Sequence, residues 1–432
     1  MNSSRVVFPS LRRWCPGRVP GRRSSARGST RCTIGGHHKR ICRCCDAVGS
    51  GGSGSRRHLF SRVRPGLSRP ACAGRDARGA PGSPHGAAPC HRCGGSAACG
   101  SERVVAPGIL LVSFDTTRAD RIGAYGYDGA DTPNIDALAR EGIVFEQAIA
   151  PAPITLPSHA TILTGQPPSV HGVHSNGNYV LSSEAELVSE TLHDRGFRTG
   201  AFVSAFVLDA RFGLDQGFES YRGPDPSKRV DRLPAAQWRA GTAVDEAIDW
   251  FGGIRPDESF FAWIHFFDPH QPYRPPKDFR SSARQIYDVE IAYADRELGR
   301  LLEFLDAQGR SPELTVVVTA DHGEGLGEHG EVSYGILAYQ GTLHVPLVIS
   351  GARVRGAAGS RVRSLVGLVD VAPTLLTLAG VPSGESRSAG HSLVDAQGVP
   401  VAPPRDRVIQ IETLLPYHVF GWSALRGLLW RN

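Results

Sequence analysis

Pro153-Ile154-Thr155-Leu156-Pro157-Ser158-His159-Ala160-Thr161-Ile162-Leu163-Thr164-Gly165 puts a threonine hydroxyl on a Pro-punctuated turn, then runs into a short apolar segment closed by Gly. A proline two residues after the hydroxyl fixes the turn and suits the start of a helix, where its missing N–H costs nothing. Thr155 is therefore expected near a helix N-terminus, where free N–H groups and the macrodipole favour an anion. Hydroxyl residues at such places are commonly plain helix caps. Partners elsewhere in the chain have to give this one a chemical meaning.

Those partners stand behind apolar runs. Gly108 to Phe114 ends in Asp115, Ser259 to Phe267 ends in Asp268-Pro269-His270, and Leu314 to Ala320 delivers Asp321-His322-Gly323-Glu324. Continuous apolar runs predict strands of a parallel sheet covered on both faces, and in open α/β sheets the functional residues gather past the carboxyl ends of strands. Thr199 to Phe206, Val345 to Ser350 and Val408 to Glu412 read as further strands. Thr132 to Gly142 (with Thr132 as cap), Ser183 to Arg195, Ala235 to Phe251, Tyr287 to Gln308 and Val369 to Gly380 read as helices. His171 to Asn178 is a polar, Gly-rich loop. Strands alternating with helices predict an α/β fold with a mostly parallel central sheet.

The chain has 432 residues and a formal charge of +6, but the charge is divided unevenly. Residues 1–100 carry 19 Lys/Arg against Asp46 and Asp76, a balance of +17, while the remainder stands at −11. Residues 1–103 form an Arg-, Gly-, Ser- and Pro-rich head that lacks periodicity and is expected to be disordered. All nine cysteines lie there, in spacings that match no zinc ribbon or finger. The contrast in composition suggests that the head is upstream sequence outside the native coding region; N-terminal sequencing that finds Met1 intact would contradict this. The first thirty residues contain no apolar signal segment, and no run of eighteen apolar residues exists to span a membrane. No nucleic-acid partner is expected for the acidic body, and oligomeric state is not legible. Residues 104–400 read as the catalytic domain and 401–432 as the start of a second, truncated subdomain.

Asp115, Thr155, Asp321 and His322 each lie at a strand end or turn, where one crevice can collect them. Two carboxylates, a hydroxyl and an imidazole suit one divalent cation, with zinc or manganese matching the imidazole better than calcium or magnesium does. A hydroxyl beside such a cation becomes an activated nucleophile. His270, Asp268 and His329 follow as candidates around it, Trp263 and Phe266 read as core, and Arg118 with Arg121 reads as a solvated face.

From about Gly108 onward the body resembles the sulfatase family of the alkaline phosphatase superfamily. The resemblance rests on Phe114-Asp115 with Arg118-Ala119-Asp120 and Thr132-Pro133-Asn134, on Thr155-Leu156-Pro157-Ser158 through Thr164-Gly165, on Thr319-Ala320-Asp321-His322-Gly323-Glu324, and on Val369-Asp370-Val371-Ala372-Pro373-Thr374. It implies an alkaline-phosphatase-like α/β/α sandwich, a metal-dependent hydrolase of sulfate or phosphate esters, a small-molecule or glycan/lipid ester substrate, and export from the cytoplasm. It also implies a C-terminal subdomain that this chain holds only in part.

Three departures shape the expectation. Sulfatases carry Cys or Ser, oxidised to formylglycine, where this chain has Thr155; His159 replaces the usual Arg, and Thr116 a metal-binding Asp. A threonine nucleophile resembles instead the phosphodiesterase and phosphoethanolamine transferase branches. There Asn176 corresponds to the asparagine that holds a non-bridging oxygen, His270 to the histidine facing the ester oxygen, and Tyr334 falls where the transferases place a histidine. The resemblance thus favours a phosphodiester or phosphonate ester over a sulfate ester. The alternatives are a phosphoethanolamine-type transferase, which would want membrane helices, or an inactive binding protein that keeps the fold.

Overall fold

A computed structural model of the chain describes residues 106–225, 227, 237–382, 388–404 and 406–430. The basic head, with its cysteines and its expected disorder, and the first residues of the helix read from Ala235 lie outside them.

In chain order the elements are β1 (Gly108–Phe114), α1 (Pro133–Glu141), β2 (Ile143–Ile149), α2 (Thr155–Thr164), α3 (Pro168–His171), α4 (Val188–Asp194), β3 (Arg198–Phe202) and β4 (Ser220–Arg222). Then follow α5 (Ala240–Gly252), β5 (Phe260–Phe266), α6 (Ile286–Ala307), β6 (Leu314–Ala320), α7 (Gln340–Leu343), β7 (His344–Val345) and β8 (Leu347–Gly351). The last are β9 (Ser360–Gly367), α8 (Val371–Leu378), β10 (Val408–Thr413), α9 (Leu415–Phe420) and β11 (Leu425–Trp430).

Among the described residues the main sheet has nine strands, ordered β4-β3-β5-β1-β6-β8-β2-β7, with β9 added beside β2. From β4 to β6 every pairing is parallel, and β8 is the first antiparallel strand. Each of the seven residues of β1, β5 and β6 is buried, as a strand requires when helices cover both its faces. Helices α1, α5 and α6 pack on one another and on β3, β5 and β8, while α2, α4 and α8 form a second group. The mostly parallel α/β sheet is as the sequence predicts. Strands β10 and β11 pair antiparallel in a separate two-stranded sheet.

Several local expectations shift. Thr132 does not cap α1, since its hydroxyl accepts from the Gly123 N–H at 3.1 Å. The cap comes from α6 instead: Asp295 Oδ1 accepts from the Ile135 N–H at 2.8 Å and Oδ2 from the Asn134 N–H at 3.1 Å. A carboxylate on a neighbouring helix thus satisfies the free N–H groups and the dipole together. The helix read from Ser183 begins only at Val188, because Ser182 draws the Glu184 N–H into a local turn and the Glu190 side chain caps Leu187 N. The strand read as Thr199 to Phe206 ends at Phe202.

Candidate active site

Register brings the two carboxylates together. Strands β1 and β6 run parallel with Phe114 opposite Ala320, so the next residues, Asp115 and Asp321, leave the sheet side by side at its carboxyl edge. β5 lies on the other flank of β1, with Phe266 opposite Phe114, and sends the Asp268–His270 turn over the same edge. Thr155 arrives as the first residue of α2, a helix buried in all ten residues. Such a helix must satisfy its polar groups internally. Ser158 Oγ donates to Ala152 O at 2.7 Å, and Thr164 Oγ1 to Ala160 O at 2.6 Å. Gly165 ends it at φ +65°, in a spot where a Cβ would lie 2.2 Å from Ser388 Oγ.

At the centre, His322 Nε2 lies 3.4 Å from Thr155 Oγ1, 3.5 Å from Asp321 Oδ2 and 3.9 Å from Asp115 Oδ1. His322 Nδ1 donates to Gly323 O at 2.8 Å, a bond that leaves the Nε2 lone pair facing these oxygens. Asp321 Oδ1 accepts from the N–H groups of Thr116 and His322 at 3.1 and 2.8 Å. Thr116 reaches it by taking a left-handed φ of +50°, a conformation rare for a β-branched residue and typical of strained functional turns. Asp321 Oδ2 and both oxygens of Asp115 are fully buried with no hydrogen-bond partner.

Orphaned buried carboxylate oxygens cost several kcal/mol unless something else satisfies them. Asp115, Asp321 and His322 have ligand atoms close enough together to share one ion. The donor set of hard oxygens and one imidazole nitrogen fits a divalent cation. A second group, His159, His265 and Asp321, is as close-set, yet neither imidazole has a lone pair left for an ion, although His265 Nε2 makes no hydrogen bond. His159 Nδ1 donates to Thr155 O at 2.9 Å, and its Nε2 accepts from Ser113 Oγ at 3.0 Å. Ser113 Oγ also accepts from Trp263 Nε1, and the Nδ1 proton of the neutral His159 leaves Nε2 as the acceptor. His265 Nδ1 accepts the Ser204 N–H, so its Nε2 carries the proton and points at Asp115 Oδ2, 3.4 Å away.

The remaining sequence candidates fall in different places. Asn176 Oδ1 accepts from the Leu156 N–H at 2.9 Å, tying the polar loop to the start of α2 beside Thr155. His270 Nδ1 bonds its neighbour Gln271 O, and Nε2 takes the Tyr334 hydroxyl at 2.6 Å. Asp268 accepts from Ala240 N at 2.6 Å and from Arg239, so it caps α5. His329 stacks on Tyr339 with ring centroids 3.8 Å apart. Arg118 is buried rather than solvated, paired with Asp120 and Glu328 and bonded to Glu324 O.

The structure gives partners to two residues that the sequence motifs only name. Tyr334 packs on His322 with centroids 4.5 Å apart. Glu324 Oε2 accepts from Tyr273 OH at 3.0 Å, while its Oε1 is orphaned. A Gly-rich loop with no period leaves those partners unreadable from sequence.

Burial sets the electrostatics. It raises Asp115, pushes Asp321 up to about 7 with help from Asp115, and lifts Glu324 and Glu290 to about 8. It lowers His322 and His265 to about 4 and His159 to about 3, so these imidazoles stay neutral. Carboxylates with raised folded-state values stabilise the fold while protonated and lose that contribution as pH rises through those values. Above about pH 7.5 the histidines are neutral in both states and only this loss remains. Metal-free protein is therefore expected to lose thermal stability between about pH 7.5 and 8.5, and added Mn²⁺ to flatten the slope. Thermal melts across that range with and without the ion check it, and a metal-insensitive slope would contradict it.

A family model described as Sulfatase matches residues 107–381, well over half the chain. The chain belongs to the sulfatase family. As a member of that family it is an ester hydrolase by descent and fold. It is 24% identical over 380 residues to an arylsulfatase of Clostridium perfringens, covering 67% of this chain and 78% of that protein. It is 25% identical over 319 residues to an ulvan-active sulfatase of Formosa agariphila, spanning 64% of this chain but only 62% of that protein's length. In three dimensions this sulfatase-family chain superposes on the phosphonate monoester hydrolase of Agrobacterium radiobacter with a TM-score of 0.59 at 22% identity, covering 71% of this chain and 80% of that one. At that identity the likeness bears on the fold. Among the described residues, no helix is long and apolar enough to cross a membrane.

Proposed function

We propose that this sulfatase-family chain is a hydrolase in which Thr155 attacks the phosphorus of a phosphodiester or phosphonate ester, in preference to the sulfur of a sulfate ester. The observation that supports it is the orphaned oxygens of Asp115 and Asp321 gathered at His322 Nε2, which lies 3.4 Å from the Thr155 hydroxyl. Asp115, Asp321, His322 and Thr155 would hold one divalent cation, zinc, manganese or calcium. Bound there, it would lower the pKa of the threonine hydroxyl and offset charge gathering on the ester oxygens.

The chain's own groups do the rest. Thr155 Oγ1 forms a bond to phosphorus as the alcohol oxygen departs, and water later cleaves the threonyl ester and restores the hydroxyl. Threonine cannot be oxidised to the aldehyde that sulfatases use, and the body from residue 104 holds no cysteine, which supports the phosphoester preference. Because Asn176 Oδ1 is committed to Leu156 N, its NH₂ is the group left to donate to a non-bridging oxygen. His270, whose Nε2 takes the Tyr334 hydroxyl, would face the ester oxygen as leaving-group acid or oxyanion donor. His159 is a positioning residue, holding the Thr155 carbonyl and hence the start of α2.

Turnover of bis-aryl phosphate, aryl phosphonate, aryl phosphate and aryl sulfate by Mn²⁺-loaded protein tests the reading. The first two are expected to be cleaved fastest. Turnover of aryl sulfate alone would contradict the phosphoester preference.

A further inference from the structure

Resting on the reading of Thr155 as nucleophile beside a cation site, we infer that Tyr334 sets the substrate's charge. With it in place the site takes an ester bearing one negative charge and disfavours the doubly charged counterpart. The tyrosine stands where substrate charge would be felt. Its hydroxyl is 2.6 Å from His270 Nε2, and its ring lies against His322, whose Nε2 is 3.4 Å from Thr155 Oγ1. The carboxyl groups that act on Tyr334 are those of Asp115, Glu324 and Asp321.

Cationic side chains do not offset them among the described residues around the nucleophile. The charges acting on Asp115, Asp321 and His322 come from histidines and carboxylates. Arg118 is held by Asp120 and Glu328, and Arg239 by Asp268 and Arg274 O. Lys277 is the single lysine among the described residues and is exposed. The start of α2 adds little attraction for an anion, since the Leu156 N–H is taken by Asn176 and Pro157 has none. Asp115 and Asp321 together cancel the charge of a divalent cation, and Glu324 can only add negative charge. The inner site is thus neutral or negative even when loaded. In such a field a second substrate charge is repelled, whereas an uncharged phenol in place of a cation accommodates an ester with one charge.

Phenyl methylphosphonate and phenyl phosphate make a suitable pair, because they share a shape and differ by one charge at pH 8. Their binding to full-length Thr155→Ala protein in Mn²⁺ is read by calorimetry, which needs no turnover. The phosphonate is expected to bind tighter by on the order of tenfold. Tyr334→Lys is expected to narrow that ratio by a similar factor, and Tyr334→Phe to leave it unchanged, with melting curves reporting that each variant is folded. Equal or tighter binding of phenyl phosphate to the Thr155→Ala protein overturns the inference, as does a folded Tyr334→Lys variant with an unaltered ratio. Should the lysine variant not fold, the ratio in the Tyr334 protein still decides. If Thr155 is not the nucleophile, Thr155→Ala retains turnover, a failure separate from the binding ratio.

Discussion

Thr155→Ala is expected to lower kcat on a bis-aryl phosphate by on the order of 10³-fold or more, with KM changed far less. The methyl group that remains cannot form the bond to phosphorus, so the loss falls on the chemical step. Folding is expected to survive, because alanine is a strong helix former and, among the described residues, Thr155 Oγ1 has no hydrogen-bond partner nearer than His322 Nε2 at 3.4 Å. Thr155→Ser keeps the hydroxyl and is expected to recover a measurable part of the rate. The check is steady-state kinetics of the two variants beside the unaltered protein. Full activity of the alanine variant would remove Thr155 from the mechanism.

The second large effect has opposite signs with and without metal. In Asp321→Asn the side-chain carbonyl can still accept from Thr116 N and His322 N, but an NH₂ group replaces the orphaned Oδ2. That donor faces the place where a cation needs a ligand. Affinity for Mn²⁺ or Zn²⁺ is expected to fall by on the order of 100-fold or more, and turnover with it. Metal-free protein is expected to gain about 1–3 kcal/mol, since a buried carboxylate without a partner has been removed. Calorimetric metal titration and denaturant unfolding of the chelated protein read the two halves. Destabilisation of the metal-free variant would mean that Asp321 holds the fold rather than an ion.

The sheet and the central residues were legible for one reason: the strands that deliver them are buried on both faces. Gly108 to Phe114 and Leu314 to Ala320 stand out as apolar runs, and each is followed by an aspartate of the candidate site. Strands β2 and β9 escaped notice because charge interrupts them, Glu146 in one and Arg361 and Arg363 in the other. Paired across the sheet, Glu146 and Arg361 approach to 2.7 Å. The cap of α1 could not be read locally, since Asp295 lies on a helix far along the chain. Arg118 looked like a surface residue because only the fold brings Glu328 and the Glu324 carbonyl to it, beside its near neighbour Asp120. Tyr334 and Glu324 could be named from motifs, but their partners could not. Their meaning comes from long-range packing against His270, His322 and Tyr273 in a loop without period.

The most direct test of the account is to trap the intermediate. Mn²⁺-loaded protein is mixed with excess bis-aryl phosphate, quenched in acid within the first turnover, digested and examined by mass spectrometry. The peptide containing Thr155 is expected to gain the mass of the aryl phosphoryl group, with fragmentation placing it on the Thr155 side chain. A peptide that stays unmodified while substrate is consumed, or a phosphoryl group on any other residue, would contradict the claim that Thr155 is the nucleophile.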